Sequence, residues 1–286
     1  MTASPWVIVL AAGAGRRLAN VTGGVPKQYW PYDGQHSLLE ATLERTAPLS
    51  PASRTLMVVD QSHQRYIDGL PSLTGRGRVI FQPCDRGTAA GVLLPLVDVI
   101  DADPDAIVLL TPSDQGIGRP DYFHAGIKRG LSAIQAGLTD VVLFGVEPDA
   151  AHGDYGWISP DVRASNSLRR VAGFVEKPTT QEAARLLAAG GVWNTMVLVA
   201  RASGLLRLAL HHAPALADAF TAALELRGGR REAFIAEVYQ TLQPVDFSRQ
   251  LLTHARGLWM YTWPAAMQWS DLGTPERLGE WRAAVA

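Results

Sequence analysis

Short apolar runs alternate with amphipathic segments along the first half of the chain. Residues 7–12 (VIVLAA) form a continuous apolar run that ends in a glycine-rich stretch, which is typical of a buried strand opening into a loop. Similar runs predict strands over residues 54–60, 78–82, 106–110 and 140–146. Helices are predicted between them, over residues 37–47, 62–70, 88–100 and 120–136. Ser37 and Glu40 have the spacing of a capping box at the start of the first helix.

Strands that alternate with helices at this spacing favour βαβ units and a mostly parallel sheet, with any ligand beyond the carboxyl ends of the strands. The second half continues with predicted strands over residues 155–159, 170–176, 193–200 and 258–263, and a helix over residues 180–189. Residues 202–243 are predicted to be helical with breaks at Pro214 and Gly228-Gly229, and a last helix follows residues 269–273. We expect this half to extend the same sheet of an α/β fold.

The charge and the cysteine content exclude several classes of protein. The 286 residues hold 26 Lys and Arg against 27 Asp and Glu, so a net charge of −1 gives no bulk attraction to nucleic acid or to anionic lipid. The single cysteine, Cys84, excludes an internal disulfide and CxxC zinc sites. No apolar run reaches the roughly 18 residues of a membrane helix, and no basic segment precedes the first run. A cytoplasmic location is therefore expected.

The sharpest local signal is the segment LAAGAGRRL at residues 10–18, which PKQY follows at residues 26–29. Small residues after a strand let backbone N–H groups approach an anion, and Arg17 and Lys27 add cations that can reach the same anion. The segment is not a Walker A motif, which requires GxxxxGK[ST], and Leu18 stands where the Rossmann fingerprint has its third glycine.

Six further segments carry polar residues at or near the ends of predicted strands. In chain order they are QPCDRGTAA (82–90), TPSDQ (111–115), GDYGWI (153–158), FVEKP (174–178), VWNT (192–195) and WSDLG (269–273). Together with LAAGAGRRL and PKQY, they resemble the ordered motifs LAGGxGxRL, PKQ, EPxxRNTAPA, PSDH, TGYGYI, FxEKP, WNS and WSDVG of the sugar-nucleotidyltransferase family. The chain looks most like the mannose-1-phosphate guanylyltransferases of that family. The resemblance covers nearly the whole chain.

The resemblance implies a role for each motif. Arg17 and the loop N–H groups would hold a triphosphate, and Lys27 would lie by its α-phosphate. Asp114 and Asp271 would share one Mg²⁺, an ion that prefers hard carboxylate oxygens. The residues implied in nucleotide binding are Leu10, Ala11, Ala12, Gly13, Gly15, Gln82, Gly87 and Thr88. The residues implied in sugar-phosphate binding are Gly156, Glu176, Lys177 and Asn194.

The resemblance also implies the fold and the reaction. The fold would be a Rossmann-like, mostly parallel mixed sheet flanked by helices, of the nucleotide-diphospho-sugar transferase type. Residues 1–286 would be one catalytic domain, with a nucleotide-binding half (1–150), a sugar-phosphate-binding half (151–286) and no C-terminal cupin or β-helix domain. The enzyme would join an NTP, expected to be GTP, to a sugar 1-phosphate, expected to be mannose 1-phosphate, and release pyrophosphate. Its partners would be these substrates and no nucleic acid or membrane, with a homo-oligomer left open.

Five sites depart from the family pattern. Arg16 replaces a threonine, Gly87 an asparagine, Gln115 a histidine and Met196 a glycine, and Ala19-Asn20-Val21 replace the proline that often follows RL. Two alternatives therefore stay open. A cytidylyltransferase of the isoprenoid-precursor type shares LAAGxGxR and PKQY, but it is shorter and lacks the FxEKP and WSDLG segments. A non-catalytic homologue that senses sugar nucleotides would keep the fold but would be expected to lose at least one charged group of the site.

Overall fold

The computed structural model describes residues 4–161 and 168–285. The strands in these ranges are β1 Trp6–Leu10, β2 Thr55–Asp60, β3 Arg78–Gln82, β4 Ile107–Pro112, β5 Gly116–Ile117, β6 Val141–Val146, β7 Gly156–Pro160, β8 Leu168–Glu176, β9 Val192–Arg201, β10 Trp259–Trp263 and β11 Trp269–Ser270. The α-helices are α1 Ala19–Thr22, α2 Leu38–Thr46, α3 Gln64–Asp68, α4 Gly87–Ala102, α5 Pro120–Gln135, α6 Thr180–Ala188, α7 Ala202–His212, α8 Pro214–Leu224, α9 Gly229–Thr241 and α10 Pro275–Val285.

One mixed sheet takes strands from both halves of the chain, in the order β3-β2-β1-β4-β9-β6-β10-β8-β7. The neighbours among β1–β4 pair in parallel, and so do β6 and β10. The long strand β9 runs antiparallel between β4 and β6, and its first residues also pair with β7. The predicted α/β fold, with a mostly parallel first half and a second half that extends the same sheet, is confirmed.

Helix boundaries follow local sequence signals. The predicted capping box at α2 is present: the Ser37 side chain accepts from the backbone N–H of Glu40, and the Glu40 carboxylate accepts from the backbone of Ser37. The helix predicted over residues 62–70 is wrong in extent. Asp60 instead caps a 3₁₀ turn, Gln61–His63, and only the five-residue helix α3 follows. The long helical stretch divides at the predicted points, because Pro214 opens α8 and Gly228 adopts a positive φ before α9.

Successive side chains of each strand point to opposite faces of the sheet, so apolar strands give the sheet a hydrophobic layer on each face. Ile8 packs into one layer with residues of α4, α7 and α8, whereas Val7 and Val9 pack into the other with residues of α2 and α5. All three side chains are fully buried. No helix within the described residues is both long enough and apolar enough to cross a bilayer.

A small second sheet lies outside the main one and was missed by the sequence analysis. Gly116–Ile117 of β5 pair antiparallel with Trp269–Ser270 of β11, in a ladder of only two residues a side. Such short strands carry no periodic signal in the sequence. The pairing holds the WSDLG segment beside the loop that follows β4. Motifs that are far apart in the chain therefore come together at the carboxyl ends of the strands.

Candidate active site

A cavity of about 540 Å³ opens at the carboxyl ends of β1 and β4. Predicted nucleotide-binding residues make up a large part of its lining, namely Leu10, Ala12, Gly13, Gln82, Gly87 and Thr88, and Asp114 joins them. The remaining lining residues include Gln28, Met196, Asp246 and Gln250. The volume is within the roughly 300–1,000 Å³ range of small-ligand sites.

The glycine-rich loop after β1 is held in shape by the PKQY segment. The Gln28 side-chain amide donates to the carbonyls of Ala11 and Gly13, at 2.8 Å each, and the Tyr29 hydroxyl donates to Ala11 at 3.0 Å. Ala11 is buried, its N–H is bonded to Val58, and it does not line the cavity. Gly15 has φ +61°, and a Cβ there would lie 2.9 Å from the backbone nitrogen of Lys27. Position 15 therefore needs glycine, because any other residue would combine a left-handed φ with a Cβ too close to the backbone of Lys27.

Lys27 is buried and joins two loops at the edge of the cavity. Its Nζ donates to the carbonyl of Asp271 at 2.6 Å and to that of Leu272 at 3.4 Å, and it lies 3.2 Å from Asp114 Oδ2. The Lys27 side chain is only 9% exposed. A loop lysine is expected to bury little, but this expectation is wrong for Lys27, because its ammonium group links the loop after β4 to the WSDLG loop.

Arg17 lies at the mouth of the site. It is exposed, and within the described part of the chain its side chain has no hydrogen bond or ion pair. A second cavity, of about 240 Å³, is lined by Gly15, Arg16, Arg17, Lys27 and Asp114 together with Leu18 and Gly273. Three predicted catalytic residues, Arg17, Lys27 and Asp114, therefore face one space beside the larger cavity.

Asp271 is fixed by three donors on different elements. Its carboxylate accepts from the Tyr155 hydroxyl at 3.2 Å, from the backbone N–H of Gly273 at 3.0 Å, and from Arg277 of α10 at 3.3 Å. Burial, and then the nearby Asp271 carboxylate, raise the pKa of Tyr155, so the phenol stays a proton donor. Arg277 also bonds to Asp154 at 3.0 Å and stacks over the Tyr155 ring.

Asp114 and Asp271 are the carboxylates available to a divalent metal. Asp114 pairs only with Lys27 among the described residues, and Asp271 Oδ2 accepts only from Arg277, so both have unused lone pairs. No group of three or more His, Cys, Asp or Glu side chains with metal-binding geometry occurs in residues 4–161 and 168–285. Mg²⁺ is commonly held by one or two carboxylates, with phosphate oxygens and water as the other ligands. The residues present fit that mode of binding.

Three of the predicted sugar-phosphate residues, Gly156, Glu176 and Asn194, form a separate cluster beside the cavity. A Cβ on Gly156 would lie 2.6 Å from Glu176 Oε2 and 3.3 Å from Asn194 Cβ, so the small residue lets these two side chains pack together. A glycine in a sugar-binding motif would be expected to let the backbone approach a sugar ring, but the space over Gly156 is taken by Glu176. Burial, followed by the charge of Asp246, raises the pKa of Glu176. Lys177 is exposed and has no ion pair within the described residues.

Backbone strain is concentrated at this site. In the described ranges the non-glycine residues with positive φ are Lys177, Met196, Gln268 and Leu272, and each lies in or next to one of the site motifs. Met196, at φ +59°, stands where the family resemblance has glycine, a residue that adopts this conformation without cost. Its side chain lines the larger cavity, and its N–H donates to Asn194. Met196 therefore lies between the cavity and the sugar cluster.

Several residues that support the site were not predicted from the sequence. Ser113 donates to the carbonyl of Leu10 at 2.8 Å and ties the loop after β4 to β1. Gln115, where the family resemblance has histidine, donates to Thr195 at 2.6 Å and accepts from Trp269 at 3.0 Å. Gln115 and Gln28 lie within motifs, which was the available signal. Arg277 lies outside every motif, so nothing in the sequence marked it.

The fold and the placement of the motifs define an α/β protein of the nucleotide-diphospho-sugar transferase type. Solved structures with this fold include a UDP-glucose pyrophosphorylase that superposes with a TM-score of 0.63 at 14% identity, over 98% of this chain and 98% of that one. The model of the nucleotidyl transferase family matches residues 6–286. The chain belongs to this family.

More similar relatives are proteins of polysaccharide and nucleotide-sugar synthesis. The Xanthomonas campestris pv. campestris protein named "Xanthan biosynthesis protein XanB" is 32% identical over 79% of this chain, and an Escherichia coli mannose-1-phosphate guanylyltransferase is 28% identical over 76%. The chain spans about half the length of these curated relatives, 48% and 47% respectively. A Thermus thermophilus structure described as a mannose-1-phosphate geranyltransferase superposes with a TM-score of 0.83 at 28% identity, over 94% of this chain and 76% of that one.

Proposed function

We propose that the protein is a sugar-1-phosphate nucleotidyltransferase that joins GTP to mannose 1-phosphate and releases pyrophosphate. The observation that carries the proposal is the convergence of Lys27, Asp114 and the Asp271 loop beside a cavity of nucleotide size. Family membership supports the reaction class. The mannose-1-phosphate guanylyltransferases among the relatives favour guanine and mannose over other bases and sugars.

The reaction is a direct displacement at phosphorus. An oxygen of the sugar phosphate attacks the α-phosphorus in line, a P–O bond forms there, and the bond to the pyrophosphate leaving group breaks. No covalent intermediate with the protein is needed, so the protein contributes positioning and charge neutralisation. Arg17 and the loop N–H groups hold the triphosphate, and Lys27 lies by the α-phosphate.

Asp114 and Asp271 would hold Mg²⁺, which when bound neutralises negative charge on the phosphate oxygens. Tyr155 and Arg277 orient the Asp271 carboxylate through the bonds described above. Lys177 binds the phosphate of the sugar phosphate, and Glu176 and Asn194 bind sugar hydroxyls. Because Glu176 is partly buried, its hydrogen bonds to hydroxyls compete less with water than they would on the surface.

A pyrophosphate-release assay tests the proposal. The protein is incubated with Mg²⁺, each of GTP, ATP, UTP, CTP and dTTP, and a panel of sugar 1-phosphates and polyol phosphates. We expect the fastest release with GTP and mannose 1-phosphate. Release only with CTP and a polyol phosphate would favour the cytidylyltransferase alternative, and binding without release would favour the non-catalytic homologue.

Two glycines of the loop after β1 should respond differently to the same added methyl group. Gly15→Ala is expected to lower the free energy of unfolding by about 1–2 kcal/mol, because a left-handed residue gains a Cβ that presses on Lys27. Gly13 has no positive φ and nothing within 4 Å of its Cβ position, and it lines the cavity. Gly13→Ala should therefore keep its stability and bind GTP about tenfold more weakly. Denaturant unfolding and calorimetry measure the two effects, and the reverse pattern would contradict the loop's assignment.

Lys177→Ala should weaken binding of the sugar phosphate about tenfold or more and leave GTP binding nearly unchanged. The reason is that a charge-assisted hydrogen bond is lost to the second substrate alone. Calorimetry with each ligand separately is the measurement. Lys128→Ala, which removes an exposed lysine from α5, is the matched control. Equal losses for both ligands would mean that Lys177 has a structural role.

A further inference from the structure

A cavity of about 770 Å³ lies at the opposite ends of the sheet's strands from the nucleotide cavity. It is formed where β6 and β10 begin, whereas the nucleotide cavity is formed where β1 and β4 end. Since these four strands run in the same direction, the two cavities are separated by the length of the sheet. None of the proposed substrate-binding residues lines this 770 Å³ cavity.

The charged groups around this cavity leave an excess of positive charge. The negative charge of Asp140 is already neutralised, because its carboxylate pairs with Arg207 at 2.6 Å and with Arg201 at 3.5 Å. Arg256 lines the cavity and forms no ion pair or hydrogen bond within residues 4–161 and 168–285. A guanidinium without a carboxylate partner, facing a cavity, is a suitable partner for an anion.

Three imidazoles lie beside this guanidinium. The ring centroids of His211 and His212 are 4.7 Å apart, and those of His212 and His254 are 6.1 Å apart. Burial, and then the neighbouring His211, His254 and Arg256, lower the pKa of His212, as a positive local potential would. These histidines do not form a metal site in the described residues. They offer N–H donors and ring faces.

Apart from Thr139 and two glycines, the remaining lining is apolar. Val141, Leu208, Leu210 and Leu258 contribute to it, and Leu210 is unusually exposed for a leucine, at 37%. A ligand that satisfies both features needs an apolar or aromatic body and a negatively charged group. The volume is sufficient for a molecule of that kind, because small-ligand sites occupy roughly 300–1,000 Å³.

We propose that this cavity is a second ligand site, which binds a small organic anion with an apolar body, and that Arg256 is the partner of its charge. Binding at this site is independent of the proposed function, since it uses none of the same residues, whereas the coupling described below rests on GTP binding in the nucleotide cavity. It is also physically linked to the nucleotide cavity by one segment. Asp246 and Gln250 line the nucleotide cavity, whereas His254 and Arg256, a few residues later, line the second one.

The linking segment is the π-helical turn Phe247–Leu252. It is bonded to the nucleotide site, because the N–H of Phe247 donates to the Thr88 hydroxyl at 2.8 Å and Ser248 contacts Met196. A ligand that shifts His254 and Arg256 acts on the same turn. We therefore include in the proposal a coupling between the two sites, which must be equal in both directions for binding free energies.

Fluorescence titration with two dyes tests the binding. The anionic probe is 1-anilinonaphthalene-8-sulfonate, and the neutral probe with a similar body is N-phenyl-1-naphthylamine, both used with the full chain. We expect Arg256→Ala to weaken the anionic probe about tenfold and to leave the neutral one unchanged. The matched control is Arg185→Ala, an exposed arginine on α6. An anionic-probe affinity that Arg256→Ala leaves unchanged, or that Arg185→Ala lowers equally, would overturn the site.

His254→Ala is a second variant, for which we also expect weaker binding of the anionic probe. Thermal melts confirm that each variant is folded. For the coupling, saturating the anionic probe should change the dissociation constant of GTP by about fivefold or more, and Arg256→Ala should remove the change. An unchanged GTP affinity would overturn the coupling. Failure of the pyrophosphate assay with intact probe binding would overturn only the proposed function.

Discussion

Asp114→Asn and Asp271→Asn should each lower the kcat of pyrophosphate release by about 10²–10³-fold. Each substitution removes one of the two carboxylates that would compensate the charge of one Mg²⁺. If the two act as a unit, the double variant should be little worse than either single variant. Steady-state kinetics over a range of Mg²⁺ concentrations measure the effect, and we expect both single variants to need more Mg²⁺ for half-maximal rate.

The control for this prediction is Asp105→Asn, which makes the same charge change in an exposed residue just before β4, at the end of that strand away from Asp114. It should keep its full activity. Thermal melts are needed for Asp271→Asn, because that change weakens the bonds to Tyr155 and Arg277. Full activity in either single variant, or strictly multiplicative losses in the double variant, would contradict a shared ion.

Lys27→Met should have two separable effects. The activity should fall by about 10²–10³-fold, because a cation beside the α-phosphate is lost. The free energy of unfolding should fall by about 1–3 kcal/mol, because the carbonyls of Asp271 and Leu272 lose a buried donor. Urea unfolding gives the second quantity, and kinetics at a temperature where the variant is fully folded give the first.

Lys128→Met is the matched control for Lys27→Met, since it removes an exposed lysine and should change neither quantity by a measurable amount. Lys27→Arg tests the geometry. A guanidinium keeps the charge but does not reproduce a compact ammonium in a buried position, so we expect little recovery of activity. Near-normal activity in Lys27→Met would remove Lys27 from the triphosphate site and leave it as a structural link.

Most of the element order could be predicted from the sequence, because it depends on local patterns. The apolar run of β1, the capping box of α2 and the break at Pro214 are each set by neighbouring residues. These elements can be predicted because a helix cap and a strand buried on both faces each require particular residue types at a few neighbouring positions. Six of the eight residues that the family resemblance implied in nucleotide binding line the cavity at the carboxyl ends of β1 and β4, whereas Ala11 and Gly15 do not.

What the sequence did not predict depends on contacts between distant positions. The burial of Lys27 is due to carbonyls 244 and 245 positions away, and the orientation of Asp271 is due to a tyrosine 116 positions before it. The ladder between β5 and β11 has only two residues a side, which is too short to show the alternation that identifies a strand in the sequence. The space over Gly156, likewise, is filled by side chains from two other strands. None of these contacts has a local pattern.

The position of β9 determines the order in which the chain can fold. β9 lies between β4 and β6, although it is made only after both, so the inner edge of each strand lacks its neighbour until about residue 201 has been synthesised. Unpaired strand edges are sites of mispairing between chains, and late, long-range pairing slows folding. The strands of the first half of the chain can therefore complete their sheet only with β9, a strand of the second half. During synthesis, the sheet of the first half depends on the second half.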